Sequence, residues 1–99
     1  MAQLFKDMQW PEKEITRQIR EYLDKIGVYH WKVFQTLGSK KGVADILGIW
    51  KGGKFLAIEV KTERGMLSEE QRDFLDQISA RDGIAFVARS VDDVMERLG

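Results

Sequence analysis

The chain has 99 residues, 43% of them hydrophobic and 32% charged, with 16 basic side chains balancing 16 acidic ones. A chain of this size and composition is expected to form one soluble domain around one modest core; no apolar run approaches the roughly 20 residues of a spanning helix, and no secretory leader pattern is evident. With no cysteine and a single histidine, His30, disulfides, thiolate or imidazole-rich metal sites and cysteine nucleophiles are excluded, so any chemistry must run on carboxylates, lysines, hydroxyls or an oxygen-ligated metal.

Residues 1–10 read as an arm with apolar anchors Leu4, Phe5, Met8 and Trp10, followed by a single domain over 11–99. Pro11 suits the first turn of a helix, whose inward stripe is Ile15, Ile19, Tyr22, Leu23 and Ile26, and Gly27 is a good stop. Val28 to Phe34 is β-branched and aromatic and predicts a strand; Gln35 to Gly42 is a polar, glycine-bounded loop. Val43 to Trp50 and Lys54 to Lys61 are strand-like runs flanking Lys51-Gly52-Gly53, a hairpin signal. The second run is apolar on both faces until Glu59 and Lys61, as expected of a central strand covered on both sides.

Ser68-Glu69-Glu70-Gln71 is a capping-box pattern, opening a helix with Phe74, Leu75 and Ile78 inward and ending at Gly83. Ile84 to Arg89 predicts another strand, and Ser90 caps a short last helix carrying Val94 and Leu98. The order is α-β-β-β-α-β-α, an α/β fold with a small mixed sheet flanked by helices.

The charges cancel overall but not locally. Residues 32–54 hold Lys32, Lys40, Lys41, Lys51 and Lys54 against Asp45 alone, a basic middle that permits polyanion binding without demanding it. Glu59 and Lys61, two apart on a strand, point to the same face near the end of an otherwise apolar run. Taken alone, that spacing is better explained by an ordinary surface ion pair.

Hairpin register decides whether Asp45 joins them. A two-residue Gly52-Gly53 turn sets Glu59 opposite Ile46, whereas a three-residue turn over Lys51, Gly52 and Gly53, or a bulge near Gly48, sets it opposite Asp45. In the second register two carboxylates lie about 4.5–5.5 Å apart at Cβ. They would repel unless a proton or cation sat between them. Hard oxygen donors of this kind suit Mg²⁺ or Mn²⁺, and such an ion supplies the activated water that phosphodiester hydrolysis needs.

The composite pattern resembles the VRR-NUC family, a branch of the PD-(D/E)XK nuclease superfamily. It runs Gly42-Val43-Ala44-Asp45, the glycine hairpin, Ile58-Glu59-Val60-Lys61, then Gly65, Leu67, Ser68 and Gln71, with Ala44 where proline commonly stands. The resemblance spans roughly residues 11–98 and implies a restriction-endonuclease-like core acting as a metal-dependent DNA endonuclease.

The resemblance implies that Asp45 and Glu59 ligate Mg²⁺, with Mn²⁺ able to substitute, and that the Val60 carbonyl is a further ligand. It makes Lys61 the residue that positions or activates the nucleophile. A glutamate on the first helix would hold metal-bound water; Glu12 and Glu14 both fit, and the family's E-x-x-I spacing favours Glu12. Gln71 would orient water or phosphate, or serve the helix cap. Single-domain members resemble homodimeric Holliday-junction resolvases of phage and bacteria. A four-way junction is therefore the expected substrate, in the cytoplasm of a bacterial or phage-infected cell. A flap or splayed-arm nuclease and a catalytically silent DNA-binding module are the alternatives.

Ser39, Lys40 and Lys41, immediately before Asp45, are expected at the mouth of the site as phosphate contacts, with Arg64 and Arg72 in the same groove. His30 is expected to be a packed or edge histidine. Trp10, Trp31 and Trp50 are expected in the core or an interface, with stacking on unpaired bases as the other option.

Overall fold

A computed structural model of the chain describes residues 10–99. Apart from Trp10, the expected N-terminal arm therefore lies outside the described residues. The first helix, α1 (Glu12–Lys25), begins one residue after Pro11, whose carbonyl accepts from the backbone N–H groups of Glu14 and Ile15. Ile15, Ile19 and Leu23 are buried, as the spacing predicts. Gly27, at φ +77°, ends the helix: its N–H donates to the Asp24 carbonyl and the next one, Val28, to Leu23. That paired closure favours glycine because the left-handed backbone crowds a Cβ.

Four strands follow in a mixed sheet of order β1-β2-β3-β4: β1 (Tyr29–Lys32), β2 (Ile46–Trp50), β3 (Lys54–Val60) and β4 (Ile84–Ala88). The first two pairings are antiparallel and β3–β4 is parallel, with α2 (Glu69–Ala80) as the crossover and α3 (Val91–Leu98) closing the chain. The strands are shorter than the runs that predict them, because polar Gln35 to Gly42 and the bend at Asp45 take the chain out of the ladder. One further bond, Val33 N–H to the Asp45 carbonyl, extends the pairing of β1 beyond its last strand residue.

The β2–β3 hairpin takes the three-residue register. Trp50 pairs with Lys54 and Ile46 with Ile58, around a turn at Lys51–Gly53 in which Gly52 and Gly53 both have φ +76°. Strand alternation then sorts the residues of β3. Leu56, Ile58 and Val60 join Ile46, Phe86 and Ala88 in the main core, under Ile15, Ile19 and Leu23 of α1 and Val94 of α3. Ala57 faces the other way with Ala85, beneath Leu75, Phe74 and Ile78 of α2. Glu59 shares that second face.

Both later helices start as their sequences predict. Ser68 accepts from the Gln71 N–H while the Gln71 side chain accepts from the Ser68 N–H, and Ser90 accepts from the Asp93 N–H. Among the described residues no helix is long and apolar enough to cross a membrane.

Candidate active site

Asp45, Glu59, Lys61 and Gln71 converge at the end of the sheet where β2 begins and β3 finishes. The three-residue hairpin turn brings Asp45 alongside the end of β3, where the Val60 N–H donates to Asp45 Oδ2 at 2.8 Å. That bond holds the carboxylate against the strand carrying Glu59. Glu59 is 2% exposed, an acid inserted in an apolar strand. Its Oε2 accepts from Gln71 Nε2 at 3.0 Å and lies 3.5 Å from Lys61 Nζ.

These partners only partly compensate for removing the charge from water. Burial, and after it the Asp45 charge, push the Glu59 carboxyl up to about 8, against the pull of Lys61. Two acids thus converge in the site, and the one ammonium paired with them lies at Glu59.

Gln71 serves the helix cap, and its amide nitrogen also reaches Glu59. Oε1 accepts from the Ser68 N–H at 3.0 Å to complete the capping box, and this orients Nε2 toward Glu59. The loop before Asp45 is held on the same helix. Gly42 has φ +85°, and a Cβ there would lie 2.3 Å from the Glu70 carbonyl oxygen, so only glycine lets the loop pack this closely on α2.

Between loop and helix opens a cleft of about 380 Å³, lined by Gln35, Lys41, Asp45, Ser68, Glu70 and Gln71 among others. Of the predicted phosphate contacts, Lys41 lines this cleft. Lys40 and Arg64 are exposed, and the Ser39 hydroxyl is bonded to Thr36. Gln35, at the head of the polar loop, and Glu70, in the first turn of α2, also line it.

Neither first-helix glutamate hydrogen-bonds to Asp45, Glu59 or Lys61 among the described residues. Glu12 is exposed, and Glu14 is engaged by Arg17 and Gln18. Among the described residues no three acidic or imidazole side chains are grouped to hold a metal. His30 is packed as expected: its Nδ1 lies 2.9 Å from the Val28 carbonyl oxygen, and the ring sits opposite Gly48. Trp50 packs against the main core, while Trp31 is 40% exposed.

The donor set fits a small, hard divalent cation. Two converging carboxylates are the kind of donor set a small divalent ion such as Mg²⁺ takes when water completes its octahedron. An all-protein cage would need more ligands than converge here.

A four-stranded mixed sheet carrying Asp45 and Glu59-Val60-Lys61 at one end has the architecture of a PD-(D/E)XK nuclease. The family model of the VRR-NUC domain matches residues 4–92. A solved structure described as a VRR_NUC domain protein superimposes with a TM-score of 0.74 at 18% identity, over 90% of this chain and 85% of its own. A second, described as a VRR_NUC domain, gives 0.73 at 24% identity, over 89% and 97%. A comparison with curated protein sequences finds no match. The chain belongs to the VRR-NUC family, and is a nuclease domain of the PD-(D/E)XK type.

Proposed function

We propose that the chain is a Mg²⁺-dependent, structure-selective DNA endonuclease, acting as a homodimeric resolvase on four-way junctions in the cytoplasm. The observation that carries the reading is the convergence of Asp45 with the buried Glu59, which shares its Oε2 between Lys61 and Gln71. Asp45 and Glu59 would hold the ion, with the Val60 carbonyl as a further ligand, and exposed Glu12 would reach its waters. The ion, Mg²⁺ or in its place Mn²⁺, supplies Lewis acidity and charge neutralisation at the scissile phosphate.

The chain's own residues do the rest. Lys61 places a cation 3.5 Å from Glu59, where it can steer the attacking water and offset charge on the phosphate. Gln71 Nε2 keeps the Glu59 carboxylate in one orientation. Lys41 lines the cleft, with Lys40, Ser39 and Arg64 outside it as further phosphate contacts. Resemblance to the family gives products with 5′-phosphate and 3′-hydroxyl ends.

The homodimer follows from the need for two sites to cut two strands symmetrically. It is supported by an apolar sheet face open among the described residues, where Tyr29, Trp31, Ile49 and Phe55 are 71%, 40%, 46% and 38% exposed.

The test is cleavage of labelled four-way junction, flap, splayed arm and linear duplex by wild type and Lys61→Ala, with Mg²⁺, Mn²⁺ or EDTA. Paired symmetric cuts in the junction, lost with EDTA and with Lys61→Ala, are expected. Cutting only flaps or splayed arms would replace the resolvase reading, and no metal-dependent cutting would leave a DNA-binding module.

A further inference from the structure

Lys61 presents a mechanical problem. Its ammonium sits on a flexible four-carbon stem. It is held at Glu59 by an ion pair of 3.5 Å, with no shorter hydrogen bond to its nitrogen among the described residues. Something else must limit where that stem can go, and the turn that follows it is well placed to do so. The Gly65 N–H donates to the Thr62 carbonyl at 3.1 Å, folding the chain back. A Cβ on Gly65 would lie 3.3 Å from Lys61 Cδ and 3.4 Å from its Cβ, so the turn forms a wall along the aliphatic part of Lys61.

One side chain fastens that turn. Arg89, the residue after β4, directs Nη1 at the carbonyls of Thr62 (2.7 Å), Gly65 (2.8 Å) and Glu63 (3.2 Å). A guanidinium nitrogen carries two N–H donors, so the two short contacts are its full bonds and the third is shared. Arg89 makes no ion pair with a carboxylate among the described residues. Instead it is itself anchored: its N–H donates to Asp93 Oδ2 at 2.8 Å, and the preceding Ala88 carbonyl accepts from the Lys61 N–H at 3.1 Å. The arginine is therefore tied to the backbone of the same lysine whose side chain its turn confines.

We infer that Arg89 is a positioning residue for Lys61, pinning the Thr62–Gly65 turn so that the lysine stem keeps its ammonium at Glu59. The inference rests on the nuclease reading for the role of Lys61, but the geometry it asserts can be tested without cleavage. An exposed arginine on a nuclease could instead bind a DNA phosphate directly, and the two roles part experimentally.

In the full chain, R89M removes the donors and R89K returns a nitrogen donor. Two readouts are taken: single-turnover cleavage with DNA affinity measured over a salt series, and the acetylation rate of Lys61 relative to the other lysines by mass spectrometry. R89M is expected to lower the cleavage rate about ten- to a hundredfold through misplacement of Lys61. DNA affinity and its salt slope should hold, R89K should recover part of the rate, and R89M should add no loss in a Lys61→Ala background. Lys61 should acetylate several-fold faster in R89M, an outcome that stands or falls even if wild type cuts no substrate.

A salt slope reduced by about one would overturn the inference in favour of a phosphate contact. An unchanged Lys61 acetylation rate, or losses that multiply in the double variant, would overturn it equally. If R89M does not fold, G65A presses on the same wall from the other side. It should alter Lys61 acetylation with DNA affinity kept, and unchanged acetylation there would again overturn the proposal.

Discussion

On the face of the sheet under α1 and α3, Ile46, Leu56, Ile58, Val60, Phe86 and Ala88 meet Ile15, Ile19, Leu23 and Val94 in one closed cluster. The opposite face carries small residues, Ala57 and Ala85, beneath Leu75 of α2. At one end it holds the buried acid Glu59, and at the other the exposed row of Tyr29, Ile49 and Phe55, which are register partners across three strands. The first face buries mostly large apolar side chains and anchors the fold. The second is thinly packed and accommodates a buried acid because stability is secured elsewhere. The alternation of a single strand, β3, divides the two tasks, so neighbouring residues in sequence should answer to different assays.

The widest separation is expected for Glu59 and Ile58. Glu59→Gln, like Lys61→Ala, should cost roughly two to four orders of magnitude in cleavage rate while leaving the melting temperature equal to or above wild type. Ile58→Ala should do the reverse, costing about 2–5 kcal/mol in denaturant unfolding while the remaining folded molecules still cut. A Glu59→Gln chain that melts much lower would break the comparison, because the acid would then be part of the scaffold.

The pH dependence of stability sharpens it. In the folded chain Glu59 holds its proton up to about 8, whereas the unfolded carboxyl releases it near 4.5. Between those values the folded state binds more protons, so the unfolding free energy falls as pH rises. The contribution of this group is complete below 4.5 and lost above about 8. Subtracting the Glu59→Gln profile from wild type, by urea titration at several pH values, should isolate a decline of a few kcal/mol across that window. Mg²⁺ should flatten the decline in wild type alone. Identical profiles for the two chains would mean that Glu59 is solvated after all.

The smallest effect concerns the helix that roofs the second face. Ser68→Ala removes the oxygen that accepts from the Gln71 N–H, and should cost about 1 kcal/mol by thermal or denaturant melting. Because Gln71 also bonds Glu59, a modest loss of cleavage should accompany it, whereas the same change at Ser90, the cap of α3, should leave cleavage untouched.

Much of this was legible in the sequence, for identifiable reasons. Helix boundaries are local chemistry, so Gly27, the Ser68–Gln71 box and Ser90 announce themselves. Glu59 and Lys61 are conspicuous because charge in an apolar run has to be explained. Whether Asp45 meets them was open, because a two-residue and a three-residue turn differ by a single position in register, and glycine pairs permit either. Structure chooses the latter. The role of Arg89 was hidden because its acceptors are backbone carbonyls 24 to 27 residues earlier, and carbonyls carry no sequence signature. Glu12 and Glu14 lie on a helix whose inward stripe is apolar, and spacing alone does not bring either to Asp45 and Glu59.

The amide of Gln71 narrows what drift this family member can survive. As a helix start, serine followed three places on by glutamate is as good as serine followed by glutamine, and the two are ordinarily interchangeable. Here the nitrogen end of that amide lies against a buried acid. A change that a substitution table scores as conservative would therefore set a third carboxylate beside two that already share a single ammonium nearby. Lineages that keep Asp45 and Glu59 should consequently avoid glutamate at this cap.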